Sequence, residues 1–282
     1  QTDEDACTGA LASVGCLRAI ATILESLSAL PHMYAQLEPA LMPIMRKMLG
    51  ADGYDVYEEV LEILSYMTYY APAVSPAMWE LWPVLISALD GEYGVQYFEN
   101  ILVPMDNYIS RGTETFLAHP TCKGDVLRVA SGVLLNNDIP EPEMLPAPKL
   151  LECVLQNCKG RVDDCVAPYL AVALERLKTC ELTYLKDLLI QIVANCLWYN
   201  AALTLDILVK NGALGTALQT WFGMLNDRTR KGGNKRKHHR REHDKKVCIL
   251  GLVALIQTPA QSLPTEVAAG MGQICAAVVS LL

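Results

Sequence analysis

The chain of 282 residues is 52% apolar and 19% charged, with 31 acidic against 23 basic residues and a net charge of −8. That apolar content excludes general disorder, and the acidic balance excludes nucleic-acid binding over the whole surface, because phosphate repels such a face. The balance favours a basic partner, and the length suits two ordinary domains or one elongated array.

Gln1 in place of Met, and the apolar Ala276–Leu282 at the other end, read as a segment cut from something longer. The acidic N-terminus lacks the basic region of a signal peptide. Leu17, Ile20, Ala21, Leu24, Leu27 and Ser28 form a first helical stripe, ended by Pro31. Glu38–Leu49 follows with Pro43 inside, then a turn at Gly50 to Gly53 and a second stripe of Val60, Ile63, Leu64 and Met67. Ser75 caps a helix that Pro76 opens and that runs to Leu89 through Pro83. Val95–Tyr108 contains Pro104. Pro148 opens Lys149–Cys158, and Val162–Cys180 contains Pro168. Each internal proline predicts a kink. Leu185, Leu188, Leu189, Ile192, Val193 and Cys196 make the next stripe, and Leu214–Leu225 carries Trp221 and Phe222. A last helix starts at an Asp244 cap and buries Val247, Leu250 and Ala254.

No run alternates as a strand does. About twelve or thirteen helices, separated by breakers about every 15–25 residues, result. Paired at a spacing of roughly 40 residues, they predict an all-α HEAT-repeat α-solenoid: one continuous array over residues 1–282, with about six repeats of antiparallel helix pairs. A globular helical bundle is the alternative. Two stretches without charge, Leu188–Leu205 and Val247–Thr265, hold Gln191, Asn195 and Asn200, and Gln257, Pro259, Gln261 and Pro264. That polarity marks buried helices rather than membrane spans.

The ten cysteines form no CxxC and none pairs with a histidine at zinc spacing. They read as reduced, buried thiols of a cytosolic or nuclear protein. The carboxylate pairs Glu58-Glu59, Asp163-Asp164 and Glu141/Glu143 have no catalytic spacing and read as solvated faces. His32 and His119 stand alone at helix joints. His239 and His243 flank Glu242, but the order is not H-E-x-x-H, and the surrounding cations oppose a divalent metal. They read as solvated histidines. No phosphate loop, dinucleotide fingerprint, nucleophile elbow or calcium loop occurs. The sequence therefore implies no enzyme, no cofactor and no metal. Trp79, Trp82, Tyr69, Tyr70, Trp198 and Tyr199 read as core.

Between Arg228 and Lys246 lie ten Lys or Arg residues, three of the five histidines and two acids. The run carries about +8, which leaves the rest of the chain at about −16. Its flanks are helices, so residues 228–243 read as a basic loop between them. The candidate partner-modulating residues are Arg228, Arg230, Lys231, Lys235, Arg236, Lys237, Arg240 and Arg241. A solvated insertion is the favoured reading, because Gly232-Gly233-Asn234 and dense like charge resist folding. A plug that folds back on an acidic face, an RNA or acidic-partner contact and a targeting signal are the others.

The segment after that loop, His243-Asp244-Lys245-Lys246-Val247-Cys248-Ile249-Leu250-Gly251-Leu252, following a Trp-bearing helix, resembles the C-terminal half of the importin-7/importin-8 type of nuclear transport receptor, in the importin-β (karyopherin) superfamily. Tyr57-Glu58-Glu59, Val74–Leu81, the Asn107-Tyr108 helix end, Leu150-Leu151-Glu152 with Gln156, Cys158–Arg161, Asp164-Cys165, Leu174–Leu177 and Tyr199-Asn200 fit in the same order. The family joint before the His-Asp-Lys helix is short and not basic, and Thr121–Pro148 fits poorly. The resemblance implies a HEAT solenoid with a concave acidic face that wraps basic cargo such as ribosomal proteins or histones. It also implies shuttling between cytoplasm and nucleus through the nuclear pore, with Ran GTPase and nucleoporins engaged through the intact receptor. The family's Ran-binding repeats lie upstream, so no Ran contact is assigned here. Candidate cargo contacts are Glu58, Glu59, Glu62, Asp163 and Asp164. Nucleic acid and membrane are not expected partners. The rivals are a HEAT- or armadillo-type adaptor unrelated to transport, and an RNA-binding helical protein led by the basic run.

Overall fold

The computed structural model describes residues 3–50, 53–91, 94–227 and 238–282. Among these it contains no strand. The helices are α1 (Asp3–Ser26), α2 (Pro31–Met48), α3 (Tyr57–Tyr70), α4 (Pro76–Trp79), α5 (Trp82–Asp90), α6 (Phe98–Arg111), α7 (Thr113–Ala118) and α8 (Cys122–Leu134). They continue as α9 (Pro146–Asn157), α10 (Asp163–Thr179), α11 (Thr183–Tyr199), α12 (Ala201–Lys210), α13 (Leu214–Asn226), α14 (Glu242–Gln257), α15 (Thr265–Ala269) and α16 (Met271–Leu281). Sixteen helices among the described residues exceed the expected twelve or thirteen, because the short α4, α7 and α15 leave too little periodicity to see. Two compact units form, Gln1–Asp125 and Val126–Leu282.

In the first unit α3 lies against α1, α2 and α6. The stripe Val60, Ile63, Leu64 and Met67 is buried as its spacing predicts. Asn107 on α6 donates from Nδ2 to Ser65 O at 3.1 Å and to Thr68 Oγ1 at 3.1 Å on α3, so a buried amide fixes the pairing of these two helices. Trp79, Trp82, Tyr108 and Phe116 meet with ring centroids 4.9 to 5.9 Å apart, mostly edge to face. Gly112 has to lack a side chain here, since a Cβ would stand 2.7 Å from the Trp79 ring. Tyr69 departs from the expected core: it is 52% exposed, and the Arg111 guanidinium stands over its ring. Trp198, in the second unit, is half-buried under the Lys159 ammonium at 3.8 Å.

The prolines behave in two ways. α2 runs through Pro39 and Pro43, α6 through Pro104 and α10 through Pro168. The expected helix Pro76–Leu89 is instead broken into α4 and α5, and Pro83 sits in the first turn of α5. A proline there needs no N–H partner, so a restart relieves what a continuous helix would have to strain.

In the second unit α11 is buried from Asp187 to Leu197 and packs against α9, α10, α12 and α14, while α14 packs on to α16. Asn200 ends α11 and caps α12, accepting from Leu203 N at 3.1 Å. Among the described residues no single helix is long and apolar enough to cross a membrane. Glu141 is not on a solvated face. It accepts from Arg176 Nη2 at 2.7 Å, from Glu181 N at 2.9 Å and from Leu182 N, tying the turn before α9 to the α10–α11 joint. Burial alone would raise its pKa, but the two backbone donors and Arg176 hold it below the usual carboxylate value.

The buried face of α14 differs from the expected Val247, Leu250 and Ala254. Val247 is buried, but its companions are Cys248, Gly251, Leu252 and Leu255, and Leu250 is 38% exposed. Gly251 marks the contact: a Cβ there would stand 2.7 Å from Ala194 Cα and 2.8 Å from Ala194 O on α11. The two backbones meet at a pair of small residues. Gly251→Ala is expected to destabilise the second unit by about 1–3 kcal/mol through overpacking, measured as a lowered urea midpoint; an unchanged midpoint contradicts the close crossing.

Candidate functional site

Charge is divided unequally between the units. Residues 1–125 hold 17 acidic against 5 Lys or Arg residues, a net of −12; residues 126–282 hold 14 against 18, a net of +4. In the first unit a groove of about 410 Å³ is lined by Arg18 of α1, by Glu58, Glu59, Glu62 and Tyr66 of α3, and by Asn100 and Val103 of α6. Glu58, Glu62 and Tyr66 follow one another at i+4 spacing, which sets them on one helical edge. Glu58 and Glu62 are exposed, Glu59 is buried, and the Tyr66 hydroxyl donates to Glu62 at 3.2 Å. Burial raises the Tyr66 pKa to about 12, assisted by the Glu62 charge and hydrogen bond. Glu59 accepts from Arg18 Nε at 3.0 Å. Thus three of the five candidate acids are brought together.

The other two, Asp163 and Asp164, begin α10 in the second unit, where carboxylates offset the helix dipole. Asp163 also accepts from the Tyr199 hydroxyl, which itself accepts from Val162 N at 2.8 Å. Its carboxylate is committed to holding the start of α10 against the end of α11.

Of the basic candidates, Arg228, Arg230, Lys231, Lys235, Arg236 and Lys237 lie outside the described residues. Arg240 and Arg241 are described and exposed, but the chain around them is not a solvated loop. His238 and His239 are 5% and 0% exposed. His238 Nδ1 lies 2.6 Å from Asp187 Oδ1 on α11, and His239 N donates to Asp187 Oδ2 at 3.1 Å. His238 Nε2 faces Asp227 at 3.9 Å, so the residue before the undescribed stretch and the residue after it stand side by side. His239 adopts φ +49°, left-handed backbone that turns the strap inward. Arg241 rather than Asp244 occupies the N-cap of α14; Asp244, three residues on, accepts from Arg241 N at 3.3 Å and from Arg241 Nη2 at 2.9 Å. The Arg241 guanidinium also lies 4.4 Å from the centre of the Tyr184 ring.

Behind the strap runs a polar network. Gln191 Nε2 donates to Asp244 Oδ1 at 3.1 Å, Asn195 Nδ2 to Gln191 O at 3.0 Å, and Gln156 Nε2 to Asn195 Oδ1 at 3.1 Å. Glu152 on α9 accepts from Gln156 at 2.7 Å and pairs with His243 Nε2 at 2.7 Å. Neither the strap nor the network is legible in the sequence, where His239 and His243 read as solvated. Asp187, Gln191 and Asn195 do recur at i+4 along an otherwise apolar helix, and that spacing was the available signal.

Cys248, His239 and Asp187 meet here, the residue types of a cysteine nucleophile site. The geometry opposes that role. His239 presents the same Nδ1 to Cys248 Sγ at 3.5 Å and to Asp187 Oδ1 at 3.8 Å, whereas a relay uses opposite ring nitrogens. Burial also pushes the Cys248 thiol far above its ordinary pKa, away from the reactive thiolate. The cluster is a packing element.

Compared with known proteins, the chain is 51% identical over 267 residues to the importin beta-like SAD2 homolog of Arabidopsis thaliana, an alignment covering 94% of this chain and 26% of that protein. Over about 94% of its length its homologues are importin-beta-like, importin-7 and importin-8 proteins. It is 29% identical over 261 residues to a probable importin-7 homolog of Dictyostelium discoideum, covering 91% of this chain and 23% of that protein. With human importin-8 it shares 28% identity over 278 residues, 95% of this chain and 25% of that protein. It therefore spans about a quarter of the length of these relatives. No family model and no solved structure matches it. The fold class of this importin-type chain is the all-α HEAT-repeat solenoid, and the rows α1–α3–α6 and α9–α11–α14–α16, each within its own unit, show the packing of alternate helices that such repeats require.

Two outcomes test the strap in this importin segment. Asp187→Asn is expected to destabilise the second unit by about 1–3 kcal/mol, because a charged acceptor of two buried donors is lost, and to speed amide exchange at His239. Exchange at the wild-type rate contradicts the anchor. The hydrogen bond that the His243 ring donates to Glu152 raises the His243 pKa above 6.5. A raised histidine pKa gives stability that is complete below the unfolded value and lost as pH rises through the folded one. The stability difference between wild type and His243→Gln, followed by urea unfolding, should therefore be larger at pH 5.5 than at pH 8.

Proposed function

We propose that this chain is a segment of a nuclear transport receptor and that the acidic face of its first unit holds basic protein cargo, of the chemistry of ribosomal proteins or histones. In the intact receptor, Ran GTPase and nucleoporins act through other parts, and the protein shuttles between cytoplasm and nucleus. The names of the relatives support the transport reading. The observation that carries the cargo reading is the concentration of charge: a net of −12 in 125 residues, with Glu58 and Glu62 exposed on one edge of a groove. Such a field steers a basic partner into contact and is weakened by salt. Many modest ion pairs spread over a helical surface then supply affinity without a deep pocket.

Binding of a labelled Lys/Arg-rich peptide to the 282-residue chain tests this reading. Glu58→Gln/Glu62→Gln is expected to weaken binding roughly 2- to 10-fold, in line with two exposed pairs, and to flatten the salt dependence. Asp163→Asn, whose carboxylate is occupied by Tyr199, is expected to change affinity little. Equal loss from both variants argues against the α3 groove as the contact, and tighter binding of RNA than of the peptide argues against a cargo surface altogether.

A further inference from the structure

The groove on the first unit already holds a cation. Glu59, its deepest acid, has 8% of its side chain exposed and is paired with the guanidinium of Arg18, which reaches across from α1 and is itself 67% exposed. Arg18 Nε at 3.0 Å and Nη2 at 2.9 Å both converge on Oε1. The two parallel bonds of a fork-to-fork pair, the strong form of this contact, are therefore not made. The exposed guanidinium also gives up side-chain freedom to stay in place, and the solvent around it screens the pair. Arg18 is thus held firmly enough to neutralise Glu59 and loosely enough to be exchanged.

Simple departure of Arg18 would leave a largely buried carboxylate unpaired, which is costly. Another cation has to arrive as Arg18 leaves. The groove specifies which kind. A second guanidinium can use both Glu59 oxygens and, being planar and weakly hydrated, tolerates a half-enclosed site better than an ammonium does. Glu58 and Glu62 border the position, while Tyr66 and the half-exposed Val103 offer apolar surface to an arginine stem.

We propose that Arg18 is an internal stand-in for a cargo arginine, and that cargo binding exchanges one guanidinium for another on Glu59. The proposal rests on the reading of this acidic face as the cargo surface. Its consequence is selectivity. A segment that cannot displace Arg18 meets a groove already neutralised at its base, so arginine-rich segments are favoured over lysine-rich ones of equal charge.

The experiment compares affinities of a labelled arginine-rich peptide for the full 282-residue chain and four variants: Arg18→Gln, Arg18→Lys, Arg46→Gln and Arg18→Gln/Glu59→Gln, with Glu59→Gln as the background for the last. Arg46 is paired with Glu80 in the same unit and controls for the loss of one positive charge. Arg18→Gln is expected to raise affinity about 3- to 5-fold more than Arg46→Gln, the range of an exposed pair. That gain is expected to vanish when Glu59 is Gln. Arg18→Lys keeps the net charge but loses the fork, so a gain there too separates competition from the long-range field and serves should Arg18→Gln unfold. Equal effects of Arg18→Gln and Arg46→Gln, or a gain that persists without Glu59, overturn the exchange while leaving the acidic face intact as a cargo surface. Failure of the unaltered chain to bind the peptide overturns that surface, and the exchange with it.

Discussion

The carboxylate of Asp187 is buried on the most buried helix of the molecule, and a charge in that position is tolerated only where donors reach it. The donors come from His238 and His239, 51 and 52 residues later in the chain. After the basic run the chain therefore has to return to α11, and it has to do so in one register. That return fixes where α14 starts, sets Asp244 beside Gln191, and brings Gly251 down on Ala194. The network of Glu152, Gln156 and Asn195 extends the same demand to α9. A half-satisfied set of buried polar groups would cost more than an apolar core, so these helices are specified together.

The sequence displayed the helical class, the stripes of α3 and α11 and the acid row of α3, because each depends on spacing within one element. It did not display what depends on a partner. Pro83 and Pro104 are the same residue in similar apolar surroundings, yet one opens a helix and the other sits inside one. The face of α14 was misjudged because periodicity counts bulky residues, whereas the contact is made by a glycine whose value is the absence of a side chain. Asp163 looked equal to Glu58 as a solvated acid until Tyr199 was found to hold it. The histidines of the basic run looked solvated because the acid that buries them is on another helix.

The two units differ in how they handle charge. The first keeps its acids at the surface along α3 and neutralises its one largely buried candidate acid with a cation from α1. The second draws charge inward: Asp187, Asp244, Glu152 and Arg176 are all buried and partnered. Field strength at a surface and rigidity in a core are thus supplied by the same residue types in different dielectric surroundings. The contrast also separates the roles of the chain's two signs of charge. The exposed carboxylates of α3 stay at the surface, while the last residues of the basic run serve the packing of their own unit.

The contact between Asp227 and His238 holds the two described ends of the basic run close together. Once the two ends of a stretch are pinned side by side, the rest of the fold hardly senses how long that stretch is, because the entropy of closing a loop grows only slowly with its length. Residues between such ends can be lengthened, shortened or re-lettered without renegotiating the packing of α13 and α14. The neck of Asp227 and His238 thus separates the length of the basic run from the packing of the second unit.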